Sequence, residues 1–259
     1  DNGRCFPVIP NMDAFRALRP SELGQEALEQ RARLEEINRT LTPFQFHCDQ
    51  CGKCCIHRDD ILLNPRDLYK MAKFLKLTME GIVARYCEVY IGDSSRFPVV
   101  RIKPRGSVHR CPFLNDRKCS IHPAKPIVCA MFPIGRYVRT DQPLKNGKLK
   151  TEYLFQKPLC GDQSETHTVR EWFGGFGIPL EDTFFQDWQS VLTEISLKIH
   201  KIEPSSTEKE MNLIWDLIYG VLYLNYDMEK EFESQFQDNS RKLMEVIRKL
   251  PGQEVNKHV

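Results

Sequence analysis

Cys48, Cys51, Cys54 and Cys55 crowd into eight consecutive residues. A two-residue gap lets a tight turn aim both sulfurs at one ion, and Gly52 adds the backbone freedom that such turns use. Cys111, Cys119, Cys129 and Cys160 follow in short runs: Cys111-Pro112-Phe113-Leu114, Cys119-Ser120-Ile121-His122-Pro123 and Pro126-Ile127-Val128-Cys129-Ala130-Met131-Phe132-Pro133. The prolines restrict the turns that present each sulfur. Sulfur ligates metal as the thiolate, so the chemistry implied is cation binding by a cluster of negative charge. The expected metal ligands are Cys48, Cys51, Cys54, Cys55, Cys111, Cys119, Cys129 and Cys160, in two four-thiolate sites or in one site with spare cysteines. Cysteine totals 10 in a chain of 259 residues. An even count also suits a disulfide framework, but adjacent Cys54 and Cys55 suit a metal better than paired bridges.

Zinc and iron–sulfur both fit. Zinc accounts for paired cysteines at short spacing. A [4Fe–4S] cluster accounts for the C-x2-C-x2-C run of Cys48, Cys51 and Cys54 and for a remote Cys111 followed by Pro112. Lys53, Arg58, Arg66, Arg105, Arg110, Arg117, Lys118, Lys125 and Arg136 lie close in sequence to the cysteines. Their plain role is charge compensation, and the sharper one is a docking patch for an acidic partner or for RNA. His47, His57, His109 and His122 flank the cluster as replacement ligands or surface residues. Asp59-Asp60 reads as a helix-approach pair, or as carboxylates serving group transfer. No catalytic residue and no small-molecule cofactor-binding residue is assigned.

The full pattern runs CxxCxxCC over Cys48–Cys55, a helical stretch over Leu63–Tyr86, then Cys111–Leu114, Cys119–Pro126, Cys129–Pro133 and Cys160. It resembles the YkgJ-type cysteine-cluster family, zinc- or iron-chelating domains related to flagellin lysine N-methylases. The resemblance covers residues 46–160 and implies metal binding. It also admits S-adenosylmethionine as a cofactor and a protein lysine as substrate. Lys125 and Ala130 stand where the family often has arginine, which puts arginine-dependent chemistry in doubt. Gly174-Gly175-Phe176-Gly177 is not a cofactor fingerprint, because no strand is predicted before it. Trp172 and Phe173 offer aromatic surface either for adenine or for a core.

The elements that must position this cluster are mainly α with small β elements: an irregular cysteine-rich metal-binding domain and a C-terminal helical bundle. An N-terminal arm and helix fill 1–43, the cysteine domain 44–165 and the helical domain 166–259. Asn64-Pro65 predicts a helix to Lys76 with Leu68, Met71, Ala72 and Leu75 on one face. Thr78 caps a second helix, whose apolar face includes Val83, Cys87 and Tyr90. Phe97 to Ile102 reads as a strand. Arg136–Thr140 and Glu152–Phe155 form a hairpin around Asn146-Gly147. Thr168 with Glu171 makes a capping box. Pro179 starts a long helix with Phe184, Trp188, Val191, Ile195, Ile199 and Ile202 inward. Ser205 with Glu208 caps the next, with Leu213, Leu217, Val221 and Leu224 inward. The last helix buries Phe232, Phe236, Leu243, Ile247 and Leu250. Cys5 is assigned nothing, and the sequon Asn38-Arg39-Thr40 is chance.

Lys and Arg number 37 against 35 for Asp and Glu, a net charge of +2, which gives no reason to expect a nucleic-acid partner. The longest apolar stretch, Leu217 to Leu224, is far below the roughly 20 residues of a membrane span. No secretory h-region opens the chain, although its first residue is Asp and a removed leader fits that start. The expected location is the cytoplasm, and the expected partners are a metal ion or cluster and a protein partner or substrate.

Overall fold

The computed structural model describes residues 43–143, 149–180 and 182–251. The helix expected within 21–39, Cys5, the sequon at 38–40 and the Asn146-Gly147 turn lie outside the described residues. In chain order the elements are β1 (Phe44–His47), β2 (Leu62–Leu63), α1 (Pro65–Leu75), α2 (Met79–Tyr86), β3 (Cys87–Ile91), β4 (Pro98–Ile102), β5 (Leu114–Asn115) and β6 (Lys118–Cys119). Then come α3 (Ile127–Met131), β7 (Ile134–Pro143), β8 (Leu149–Phe155), β9 (Asp162–His167), α4 (Val169–Gly174), α5 (Thr183–Ile202), α6 (Glu208–Tyr219) and α7 (Phe232–Lys249). The architecture is mainly α with small β elements. No helix among the described residues is long and apolar enough to cross a membrane.

The described chain divides into two compact units. One holds residues up to Ile61 and Lys103–Gln186, and the other Leu62–Ile102 and the residues from Asp187. This grouping does not run along the chain as a division at 43, 165 and 166 does. Helices α1 and α2 leave the cysteine-bearing unit and pack with the C-terminal helices.

In the first unit β1 pairs antiparallel with β9, β5 with β6 and β7 with β8. Strand β1 turns Phe44 and Phe46 inward and Gln45 outward, as a half-buried strand must. Those rings join Met131, Ile134, Val169 and Phe173 in one core. Trp172 packs edge-on against Phe46, centroids 5.6 Å apart, and its indole N–H donates to the carbonyl of Met131 at 3.1 Å. Trp172 and Phe173 are therefore used in the core. The Thr168–Glu171 capping box forms as the sequence indicates, with the Glu171 amide donating to Thr168 Oγ1 at 3.2 Å. The β7–β8 hairpin is longer than expected at both ends.

Helix α5 begins at Thr183 rather than Pro179. Asp182 is the stronger start signal, because its carboxylate accepts the Phe185 amide at 3.3 Å. Asp182 also accepts from Arg136 Nη2 at 3.2 Å, and both side chains are 2% exposed. The Arg136 guanidinium lies 3.8 Å from the Phe185 ring centroid. Arg136, expected to balance the cysteine cluster, instead serves this buried pair.

In the second unit β4 lies between β2 and β3. Helix α1 has the expected start: the Asp67 amide donates to Asn64 Oδ1 at 2.9 Å, the Asn64 amide to Asp67 Oδ2 at 3.3 Å, and Pro65 opens the first turn. Leu68, Met71 and Ala72 are fully buried. Thr78 caps α2 through the Gly81 amide at 3.0 Å. Cys87 is buried, but it opens strand β3 rather than continuing a helical face. The run Cys87-Glu-Val-Tyr-Ile91 suits a pleated strand, and its pairing with β4 overrides the helical spacing of Val83 and Tyr90.

The cap of α6 is Thr207 with Glu210, not Ser205 with Glu208. Ser205 lies in a 3-10 turn and donates to the Ile202 carbonyl. The inward face differs too. Met211, Ile218 and Leu222 are buried, whereas Leu213 is 62% and Leu217 40% exposed. Trp215 shares the inward side and donates its indole N–H to the Arg96 carbonyl at 3.0 Å. Two stripes were available on this helix, and packing against β4 chose the one carrying Trp215. Trp188 of α5 packs edge-on against Phe97 and Tyr223, at 5.8 and 5.6 Å, and Phe232, Phe236, Leu243 and Ile247 of α7 complete the core.

Two substitutions check this packing. Ile218→Ala should cost about 2–5 kcal/mol in denaturant unfolding, whereas Leu213→Gln should change stability by less than about 0.5 kcal/mol. Arg136→Ala leaves Asp182 buried without its cation and should cost about 3–5 kcal/mol. The double replacement Arg136→Met with Asp182→Leu should recover most of that loss.

Candidate metal centre

The cysteines of the first unit are delivered by short, tightly fixed segments. Strand β1 ends at His47, and its pairing with Asp162 carries Cys48 and Cys160 into adjoining stretches of chain. Gly161 closes that approach at φ +70, and a Cβ there would stand 2.2 Å from the His47 carbonyl oxygen. Only glycine fits so close a backbone contact. Gly52, at φ +73, then caps the 3-10 turn Lys53–Cys55, and the Cys55 amide donates to the Gly52 carbonyl at 3.0 Å. A Cβ on Gly52 would meet the Arg117 backbone at 3.3 Å, so the cysteine loop rests on the β5–β6 turn.

Backbone hydrogen bonds bring in the distant cysteines. The Cys111 amide donates to the Cys55 carbonyl at 2.8 Å, and the His57 amide to the Val108 carbonyl at 3.0 Å. Leu114 pairs with Cys119 in the β5–β6 hairpin, returning Cys119 towards Cys111. The Cys129 amide donates to the Pro126 carbonyl at 2.9 Å in the first turn of α3.

Cys54 Sγ and Cys55 Sγ are 3.9 Å apart. The Cys55 thiol also bonds Cys111, so it sits between two sulfur acceptors. That arrangement keeps the Cys55 proton on and pushes its pKa up. The Cys54 thiol is pulled down to about 6, first by the Cys55 hydrogen bond and then by the Arg58 and Lys125 cations. Cys111 is pulled down to about 7, again chiefly by Cys55. Burial pushes Cys129, Cys119 and Cys48 upward. Lys125 faces Cys129, Cys119, Cys48 and Cys54; burial pulls its own pKa down, and those sulfurs oppose it. Its ammonium also lies 4.1 Å from the Phe176 ring centroid. Arg58 donates to the Cys54 carbonyl at 3.4 Å and pairs with Asp60.

Cys48, Cys54, Cys119 and Cys129 thus face Lys125, Arg58 faces Cys54 and Cys129, and Cys55 links Cys54 to Cys111. The Cys51 thiol instead bonds Asp49, whose carboxylate also accepts the Cys51 amide at 3.2 Å. Cys160 is placed beside this group by strand register. His47 is held by Glu165 at 3.0 Å and His122 by Lys125 at 3.4 Å. Among the described residues no three His, Cys, Asp or Glu side chains already stand at coordination spacing. The donor set nevertheless fits a thiophilic ion. A tetrahedral zinc with sulfurs at about 2.3 Å needs neighbouring sulfurs about 3.8 Å apart, and Cys54 and Cys55 already satisfy that spacing.

Residues 47–161 match the CxxCxxCC family model, described as "Putative zinc- or iron-chelating domain". This segment is similar to that family. An uncharacterized protein of Methanocaldococcus jannaschii is 30% identical over 115 residues, which are 44% of this chain and 54% of the relative. The chain thus spans about half the length of that curated relative. No solved structure matches. The matched segment reaches beyond the first unit, because it includes Leu62–Ile102 of the second.

Serine replacement separates ligands from bystanders. Loss of a residue that only supports a ligand lowers metal affinity about 10–100-fold. Cys54→Ser and Cys111→Ser should each exceed that loss, measured by competition with a chelator. Cys87→Ser should leave affinity unchanged, because Cys87 belongs to the second unit.

Proposed function

We propose that the first unit is a thiolate metal centre whose ion organises the cysteine loops, and that the protein acts as a metal-dependent binding module. The observation that carries this reading is that four cysteine sulfurs, of Cys48, Cys54, Cys119 and Cys129, face Lys125, while Cys55 bonds Cys54 and Cys111 beside them. Cys54, Cys55 and Cys111 are the innermost donors, and Cys48, Cys119 and Cys129 surround them; Cys51 and Cys160 complete the proposed ligand set from its edge. The bound ion supplies positive charge that draws the sulfurs together as thiolates. Arg58 and Lys125 offset the charge that remains.

The 3.9 Å contact between Cys54 and Cys55 favours a single ion, zinc or iron in the same tetrahedral frame, over a cluster that spreads its thiolates across four irons. The competing reading is a [4Fe–4S] redox centre, favoured by the spacing of Cys48, Cys51 and Cys54. Protein lysine methylation rests on resemblance alone, and Trp172 and Phe173 are already used in the core. A reducing compartment such as the cytoplasm suits a centre built from free thiols.

Elemental analysis and a visible spectrum of protein purified without oxygen test this directly. The expected result is a colourless protein carrying zinc, or iron without acid-labile sulfide. Iron with equimolar sulfide and a brown colour would replace the single-ion reading by the cluster. Metal removal should abolish hydrogen-exchange protection in residues 43–61 and 103–180 and preserve it in 62–102 and 187–250, because binding and folding are coupled only in the unit that holds the ion.

A further inference from the structure

The net charge of the chain is only +2, yet between Lys103 and Lys118 the cations Lys103, Arg105, Arg110, Arg117 and Lys118 stand against one carboxylate, Asp116. All of these residues are exposed. Within this stretch Arg105 and Arg110 close a tight hairpin. The Arg105 amide donates to the Arg110 carbonyl at 2.7 Å, and the Arg110 amide to the Arg105 carbonyl at 2.8 Å. Gly106, at φ 67, and His109, at φ 46, turn the tip, where the His109 amide donates to the Gly106 carbonyl at 3.1 Å. A Cβ on Gly106 would meet nothing within 4 Å among the described residues, so the tip stands clear on that side.

The rest of the hairpin is fixed. The His57 amide donates to the Val108 carbonyl at 3.0 Å, the Arg58 amide to the His109 carbonyl at 3.3 Å, and the Cys111 amide to the Cys55 carbonyl at 2.8 Å. A loop held in this way loses little conformational freedom on binding. Its charge, by contrast, works against the fold. Arg105 and Arg110 are directly opposite across the two strands, so their side chains share a face, and like charges so placed repel. The Arg110 guanidinium is turned to the Leu114 carbonyl, and the neighbouring carboxylate Asp60 is paired with Arg58. An anion bound on this face relieves the repulsion.

Val108, at the tip, is 46% exposed. Residues 103–110 contain no Phe, Tyr or Trp, so the hairpin offers no stacking platform for the bases of a single-stranded nucleic acid. A protein segment uses both features. Its carboxylates meet the cations, and an aliphatic side chain covers Val108, which makes the apolar centre and polar rim of an ordinary interface. The geometry points to the hairpin from Lys103 to Arg110 as the docking surface for an acidic protein segment that carries an aliphatic side chain among its carboxylates. This rests on the reading of the protein as a binding module and gives the chemistry of its partner.

Fluorescence anisotropy of the full chain tests it, with a labelled peptide of glutamates around a central leucine as the probe. Saturable binding is expected, weakening as salt is raised. Lys103→Glu with Arg105→Glu sets like charges against the peptide and should weaken binding about tenfold or more. Val108→Ser should weaken binding of this peptide and leave unchanged a peptide with serine in place of the leucine. Lys201→Glu with Lys209→Glu makes the same change of net charge on exposed residues of the second unit and should bind as the unaltered chain does. No saturable binding, or equal weakening by the two double variants, overturns the surface and leaves the metal centre standing. Tighter binding of a uridine oligonucleotide, lost in the hairpin double variant, replaces the protein partner by RNA. Peptide binding kept in protein that carries no metal leaves the surface standing and overturns the metal centre alone.

Discussion

Thiols hold a metal ion only after losing protons, and thiolates repel one another. That constraint governs the first unit. Six sulfurs gathered in a partly buried space carry more negative charge than they can hold alone. Two responses are built into the chain. Cys55 keeps its proton and shares it with Cys54 and Cys111, which lets those two ionise near neutrality. Arg58 and Lys125 place positive charge among the sulfurs. In the proposed centre a bound cation would complete the balance, and folding of the loops would follow metal loading.

Charge balance alone would not bring the sulfurs together. The loops that carry them bury Phe113, Leu114 and Ile121, and the core around β1 fixes where the first of them begins. Phe44 and Phe46 anchor β1 in that core, and Trp172 locks α4 to the end of α3 through the Met131 carbonyl. The loops then leave the core at positions set by strand register and by two left-handed glycines. Gly161 admits the His47 carbonyl, and Gly52 admits the Arg117 backbone. A side chain at either position would push apart segments that carry cysteines. The ordinary apolar core thus fixes where the chain exits, and glycine fixes how closely the exits approach.

The second unit follows a simpler logic. Helices α1, α2 and α6 start at side-chain caps, and these and α7 bury one apolar face each. Its interior is aromatic, with Trp188, Tyr223, Phe97 and Phe236 in edge contacts. Burial pushes the Tyr223 hydroxyl far above its usual range, so it stays neutral in this core. The unit contains a single cysteine among its described residues, Cys87, whose thiol burial pushes up to about 12. That thiol is inert at neutral pH.

Local signals were enough to read much of this protein. Cysteine spacing singled out the candidate ligands, because ligand geometry is set by a few adjacent residues. The cap at Asn64, the capping box at Thr168 and the glycine in the CxxCxxCC loop were legible for the same reason, since each acts within one turn of chain. Lys125 and Arg58 could be named as compensating charges from proximity alone, but Arg136 could not be excluded that way. Its true partner, Asp182, is 46 residues distant. The same limit explains the inverted stripe of α6, where Leu213 and Trp215 offered competing faces and only packing against β4 decided between them. It explains Cys87 as well, whose strand exists because β4 pairs with it. The division into units that interrupt one another was also beyond local reading. Chain order records which residues are neighbours along the backbone, whereas the burial of apolar surface selects neighbours in space, and that selection is made only when the whole chain folds.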